Sequence, residues 1–262
     1  AELADSLGAD IINSSLGYYL YDAPWQSHSY LSMDGKTTPA AKAANFAGSK
    51  GILVVSSAGN EGSTEWRHII TPADALNALG IGAVNGNGEY VYFSSIGPSA
   101  DGRIKPDVVA MGSRVVAQIT NGQFAGVNGT SFSAPLVAGL AACLWQSNPS
   151  LTVKEVAQRI IRSSNSYSNP NNFTGYGIPN FSFALEGLPN IPQGKNLHLF
   201  PNPTTDMVSF WLPNYLETDY SVGLFTITGI LIKQELIPKT SAIYTLNIPE
   251  KYPAGLYIVK LM

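Results

Sequence analysis

A serine stands at the mouth of an apolar run: Asn128-Gly129-Thr130-Ser131-Phe132-Ser133-Ala134-Pro135 leads into Leu136-Val137-Ala138-Gly139-Leu140-Ala141-Ala142-Cys143-Leu144-Trp145. The run reads as a helix, and Pro135 in its first turn gives up only an N–H that has no partner there. Ser131 then sits where free backbone N–H groups and the positive dipole end favour a developing negative charge. A hydroxyl so placed is equipped for nucleophilic acyl transfer. A plain helix-capping serine carries the same local signature, so Gly129-Thr130-Ser131 in isolation does not separate the two. The small residues of the run would let the helix be packed on all sides, with Cys143 a buried apolar thiol.

A second stretch, Val54-Val55-Ser56-Ser57-Ala58-Gly59-Asn60-Glu61-Gly62, places a side-chain amide just after a β-branched strand. Alone, Asn beside Gly is a turn signal. Taken with Gly129 to Pro135, it resembles the subtilisin-like serine peptidases, whose nucleophile lies in Gly-Thr-Ser-x-[Ser/Ala]-x-Pro and whose oxyanion Asn lies in Ala-Gly-Asn. Gly8 to Gly17, Phe93 to Pro98 and Lys105 to Ala110 match further segments in the family's order, so the resemblance extends over about 185 residues. It implies that Ser131 is the nucleophile and Asn60 the donor to the carbonyl oxygen. It implies that Ser15, Leu16 and Gly17 line a groove by adding an extended substrate as a strand. Ser57, Ala58 and Gly59 would form a wall of the pocket for the side chain before the scissile bond, with Gly129 and Thr130 also against the substrate. Peptide or protein is the implied substrate. Calcium is common in the family, but no Asp-x-Asp-x-Asp loop is present, and no cofactor or metal ligand is assigned.

The family presents its triad in the order Asp, His, Ser. Neither an Asp-[Ser/Thr]-Gly nor a His-Gly-Thr-His occurs here, and the three histidines, His28, His68 and His198, lack the family's context. His28, with Asp22 or Asp34 nearby in sequence, would serve as a base only if it reached the proton of Ser131. The expectation is therefore the C-terminal part of a peptidase domain, N-terminally incomplete and inactive alone. The alternative is a non-catalytic secreted or surface-displayed peptide-binding protein, and an upstream reading frame carrying the two missing motifs would discriminate.

The elements that must position these residues form an α/β pattern, a parallel sheet flanked by helices. A helix ending at Gly8 leads to a strand over Ala9 to Asn13. Helical spacing over Pro39 to Ser49 precedes the strand Ile52 to Val55. Tyr18 to Tyr30 reads as an irregular aromatic loop, Gly80 to Val84 as a short strand and Asn85 to Gly88 as a tight turn. Met111 stands where the family usually has Pro. Thr152 caps an amphipathic helix reaching Ile161, in which Glu155 and Arg159 are spaced for a surface ion pair. A last helix falls near Phe181 to Leu185.

Three segments are expected: residues 1–187 as the peptidase domain, 188–196 as a Pro/Gly linker and 197–262 as a small all-β sandwich. Its strands are Leu197 to Phe200, Val208 to Leu212, Ser221 to Thr228, Ile230 to Glu235, Ala242 to Ile248 and Leu256 to Leu261, with a hairpin turn at Thr228-Gly229. Leu199 to Asp206 together with Gly255 to Lys260 resembles the C-terminal sorting domain of type IX secretion cargo, which implies engagement of secretion machinery and a secreted or cell-surface location. That resemblance also implies one more strand after Met262. Charged residues make up only 13% and the net charge is −3, with no Lys/Arg cluster, which argues against a nucleic-acid partner. The longest apolar run is too short and too broken to span a membrane.

Overall fold

The computed structural model describes residues 1–120, 122–186, 199–200, 207–211, 220–237, 243–248, 253 and 255–261. The chain divides into two compact units, Ala1–Leu188 and Pro189–Met262. The segment expected as a linker, 188–196, lies outside the described residues.

In the first unit, helix α1 (Glu2–Ser6) precedes strand β1 (Ile11–Ser14), which begins two residues later than the apolar pattern indicates. Two 3-10 turns, Pro24–Gln26 and Tyr30–Ser32, break up the aromatic loop. Helix α2 (Pro39–Ser49) starts where Thr38 accepts a hydrogen bond from the Ala41 N–H and Pro39 fills the first helical position. Its Ala41, Ala44 and Ala47 pack on Ile52, Val54, Ala75 and Ala78. Strands β2 (Leu53–Ser57), β3 (Ala78–Val84) and β4 (Val108–Met111) join β1 in one parallel sheet of order β1-β2-β3-β4. Every residue of β2 and β3 is buried, as parallel strands covered on both faces require. An antiparallel ribbon of β5 (Val115–Gln118) and β6 (Phe124–Val127) follows, which the sequence does not announce.

Helices α3 (Thr130–Ser147), α4 (Val153–Arg162) and α5 (Phe181–Glu186) complete the unit. Ala134, Val137, Ala138, Ala141 and Leu144 of α3 share a core with Leu53, Val55, Leu79, Ile81 and Val108 of the sheet. Contrary to expectation, α3 is not packed all round. Leu136 is 43% and Leu140 47% exposed, and Cys143 is exposed, not a core thiol. Their spacing makes a second apolar stripe on the far side of the helix, and no described element covers it. The expected Glu155–Arg159 pair is not a direct salt bridge, though after the Thr152 hydrogen bonds the Arg159 charge still helps hold the Glu155 carboxyl below its usual range. Glu155 turns back to form a capping box, its Oε2 accepting from the Thr152 N–H at 2.7 Å, while Arg159 donates to the Ala184 carbonyl at 3.3 Å.

The second unit contains β7 (Leu199–Phe200), β8 (Met207–Trp211), β9 (Tyr220–Thr226), β10 (Leu231–Ile237), β11 (Ile243–Asn247) and β12 (Tyr257–Leu261). They form two antiparallel sheets, β11-β8-β7 and β10-β9-β12. Val208, Phe210 and Leu246 of one sheet and Val222, Leu224 and Ile237 of the other make a single core, which defines a small sandwich. Gly229, at φ 83°, closes the β9–β10 hairpin, with its N–H donating to the Thr226 carbonyl at 2.9 Å.

Candidate active site

Strands β1 and β2 run side by side with Ser14 opposite Ser56, so the chain leaves both at the same, carboxyl, end of the sheet. Open parallel sheets place their ligands beyond that end. Ser15, Leu16 and Gly17 follow β1 there, and Ser57 to Asn60 complete and follow β2. The start of α3 meets them. The Ser15 hydroxyl donates to the Ser131 carbonyl at 2.9 Å, and the Ser131 hydroxyl donates to the Ser15 carbonyl at 3.1 Å.

Asn60 is held from the same helix end. Its Oδ1 accepts from the Thr130 N–H at 2.9 Å and from the Thr130 hydroxyl at 3.1 Å. The Thr130 hydroxyl in turn accepts from the Gly59 N–H at 3.3 Å. With the carbonyl end of the amide engaged, its NH2 end is oriented, and Nδ2 lies 3.5 Å from where a Cβ on Gly129 would sit. Gly129, at φ 149°, holds a backbone conformation that favours glycine as it enters the helix. Ser131 lies in the first turn, where backbone N–H groups have no intrahelical acceptor and the dipole draws negative charge.

Ser15, Gly59, Asn60, Gly129, Thr130 and Ser131 are thus brought together. Leu16 is 63% exposed beside them. Ser57 and Ala58 are buried. Ala58 is fixed on both sides, its N–H donating to Ile81 at 2.8 Å and its carbonyl accepting from Ile70 at 3.0 Å. Thr130, expected against the substrate, is fully buried, and its N–H and hydroxyl both donate to Asn60 Oδ1. That role spans 70 positions of sequence, and only the fixed Gly-Thr-Ser order hints at it.

Neither His28 nor His68 is hydrogen-bonded to Ser131, whose hydroxyl goes to the Ser15 carbonyl. His28 packs edge-on against Tyr21, at 5.5 Å between ring centres. His68 stacks on Tyr30 at 4.1 Å, and burial, then the charge of Arg67, holds its pKa below the usual histidine value. His198 lies outside the described residues. Among the described residues, no group of three or more His, Cys, Asp or Glu side chains could hold a metal ion. No helix among them is long and apolar enough to cross a membrane.

Sheet and site together define a class, an α/β domain that presents a serine from the start of a helix at the carboxyl end of a parallel sheet. The subtilase family model matches residues 1–177, and the chain belongs to that family. A secretion system C-terminal sorting domain matches residues 198–262, which marks the protein as secreted or placed on the cell surface. The "Thermophilic serine proteinase" of Bacillus sp. strain AK1 is 34% identical over 174 residues, 66% of this chain and 37% of that protein. Subtilisin BL of Lederbergia lenta is 34% identical over 153 residues, 57% of this chain and 53% of that protein. This chain therefore spans about a third to about half the length of those relatives. Among solved structures, the prenylagaramide maturation protease PagA superposes with a TM-score of 0.55 at 26% identity, over 71% of this chain and 64% of that one.

Proposed function

We propose that this chain is the nucleophile-bearing part of a secreted serine endopeptidase that cleaves peptide or protein substrates through an acyl-enzyme. The observation that carries the reading is the clamp of Thr130 on Asn60, because it ties down the carbonyl end of the amide and leaves NH2 for a ligand oxygen. An extended peptide lies along Ser15, Leu16 and Gly17 on one side and Ser57, Ala58 and Gly59 on the other. The Ser131 oxygen adds to the scissile carbonyl carbon, and the carbonyl's π pair moves onto its oxygen. Asn60 Nδ2 and the Ser131 N–H stabilise that oxyanion. Collapse, with the base passing the serine proton to the leaving nitrogen, expels the amine and leaves the acyl ester, which water then cleaves to release the acid and restore the serine.

The proton of Ser131 requires a base, and the Ser15 carbonyl that receives its hydrogen bond is not one. In this proposal the His and its orienting Asp come from outside these 262 residues. Two bare surfaces support that: the outer edge of β1, unpaired among the described residues, and the stripe of Leu136, Leu140 and Cys143 on α3. The sorting domain engages the secretion machinery and takes no part in the chemistry.

A second reading, a non-catalytic peptide-binding protein displayed at the surface, is favoured by the engagement of Ser131 with a carbonyl in place of a base. Labelling of the full-length natural protein with a fluorophosphonate, followed by peptide mapping, separates the two. The peptidase reading expects label on Ser131 and none on Ser131→Ala. An unlabelled Ser131 in a folded protein points to the display role.

A further inference from the structure

Resting on the peptidase reading above, we propose that Ile70 sets the depth of the pocket for the residue before the scissile bond and restricts it to small side chains, glycine and alanine foremost. The segments assigned to the substrate, Ser15 to Gly17 and Ser57 to Gly59, face each other across the Ile70 side chain. A Cβ built on Gly17 would collide with Ile70 Cδ1 and lie 2.6 Å from Cγ1. One built on Gly59 would lie 2.8 Å from the same Cγ1 and 3.1 Å from the same Cδ1. Two carbons of one side chain thus touch the backbone of both walls. The gap is one aliphatic side chain wide, and Ile70 already fills it.

The plug is held in place from both sides. Ile70 donates its N–H to the Ala58 carbonyl at 3.0 Å, which ties it to one wall. Tyr18 donates its N–H to the carbonyl of the next residue, Thr71, at 2.9 Å, which ties the other wall to the same segment. Ile70 is 7% exposed, and its β-branched side chain has little rotamer freedom with which to swing away. An aromatic or long aliphatic substrate side chain would have to force the walls apart, and overpacking a filled site is unfavourable. The remaining group at Gly59 is the Ser95 hydroxyl, which already accepts from the Glu61 N–H at 3.0 Å. Aliphatic carbon and one neutral hydroxyl offer a charged substrate side chain no counter-charge.

The test uses the full-length natural protein and peptides that differ only in the residue before the scissile bond: Ala, Val, Leu or Phe. In the wild type, kcat/KM for Ala should exceed that for Phe by about tenfold or more, the scale on which pocket size discriminates. Ile70→Ala should shrink that ratio by about tenfold, chiefly by raising the Phe value, while fluorophosphonate still labels Ser131. A wild type that cleaves Phe as readily as Ala overturns the proposal without need of any variant. So does an unchanged ratio in an Ile70→Ala protein that still labels. If neither hydrolysis nor labelling occurs in the wild type, the peptidase reading itself has failed and the role of Ile70 falls with it.

Discussion

Ser15 and Ser131 exchange hydrogen bonds across 116 positions of sequence, each hydroxyl donating to the other's backbone carbonyl, at 2.9 and 3.1 Å. The exchange locks the loop after β1 to the start of α3, so the groove edge and the nucleophile keep one register. It also directs the Ser131 proton at a group that cannot take it. The 262-residue chain alone should accordingly hydrolyse no peptide at a measurable rate. Steady turnover by the purified chain, abolished in Ser131→Ala, is the contrary result.

In the full-length natural protein, Asn60→Ala should lower kcat by about 10²–10³ with little change in KM, since the amide meets the oxyanion chiefly in the transition state. Thr130→Val keeps the backbone bond to Asn60 Oδ1 but removes the hydroxyl bond, and a loss of about tenfold in kcat is expected. Steady-state kinetics on both variants checks the order. A Thr130→Val enzyme equal to the wild type would remove Thr130 from the orientation of Asn60.

The exposed thiol of Cys143 should react with a disulfide reagent in the isolated chain without denaturant. In the full-length natural protein the same thiol should react at least about tenfold more slowly, because the proposed upstream elements cover the α3 stripe. Equal rates in the two proteins would mean that the stripe stays bare.

Asp74 is fully buried, with Oδ2 accepting from the Gly35 N–H at 2.8 Å and Oδ1 without a hydrogen-bond partner. Burial pushes its carboxyl above the usual aspartate range, against the opposing pull of the Gly35 bond, the neighbouring Thr71 hydroxyl and the Lys105 charge. Between the ordinary value and the raised one, the folded chain keeps a proton that the unfolded chain releases. The contribution of Asp74 to stability is therefore full below the ordinary value and falls as pH rises through that window. Urea midpoints measured from about pH 4 to about pH 7 should decline less for Asp74→Asn than for the wild type. Parallel curves would sink the assignment.

Removal of residues 195–262 from the natural protein should leave peptidase activity intact in vitro and stop delivery to the surface or medium. Cell fractionation together with activity on the released material distinguishes the two effects. Normal export of the truncated protein would contradict the sorting role.

The nucleophile and its amide partner are legible in the sequence because each lies inside a compact local signature, Gly129-Thr130-Ser131 and Ala58-Gly59-Asn60. Their support is not, because it is long-range: nothing local tells that Thr130 reaches Asn60, or that Ile70 lies between Gly17 and Gly59. The central parallel strands announce themselves as continuous apolar runs. The β5–β6 ribbon is hidden because its strands are four residues each and only partly buried. Cys143 misleads for a related reason. An apolar pattern shows that a helix face seeks cover, but not whether these residues provide it.

The bare edge of β1 has a further, colloidal consequence. A row of backbone N–H and C=O groups unpaired among the described residues, together with an apolar helix stripe that no described element covers, is a template for a neighbouring molecule. Concentrating the isolated chain should drive it into higher-order species through this edge, and light scattering is the measurement in which β1 would make itself felt.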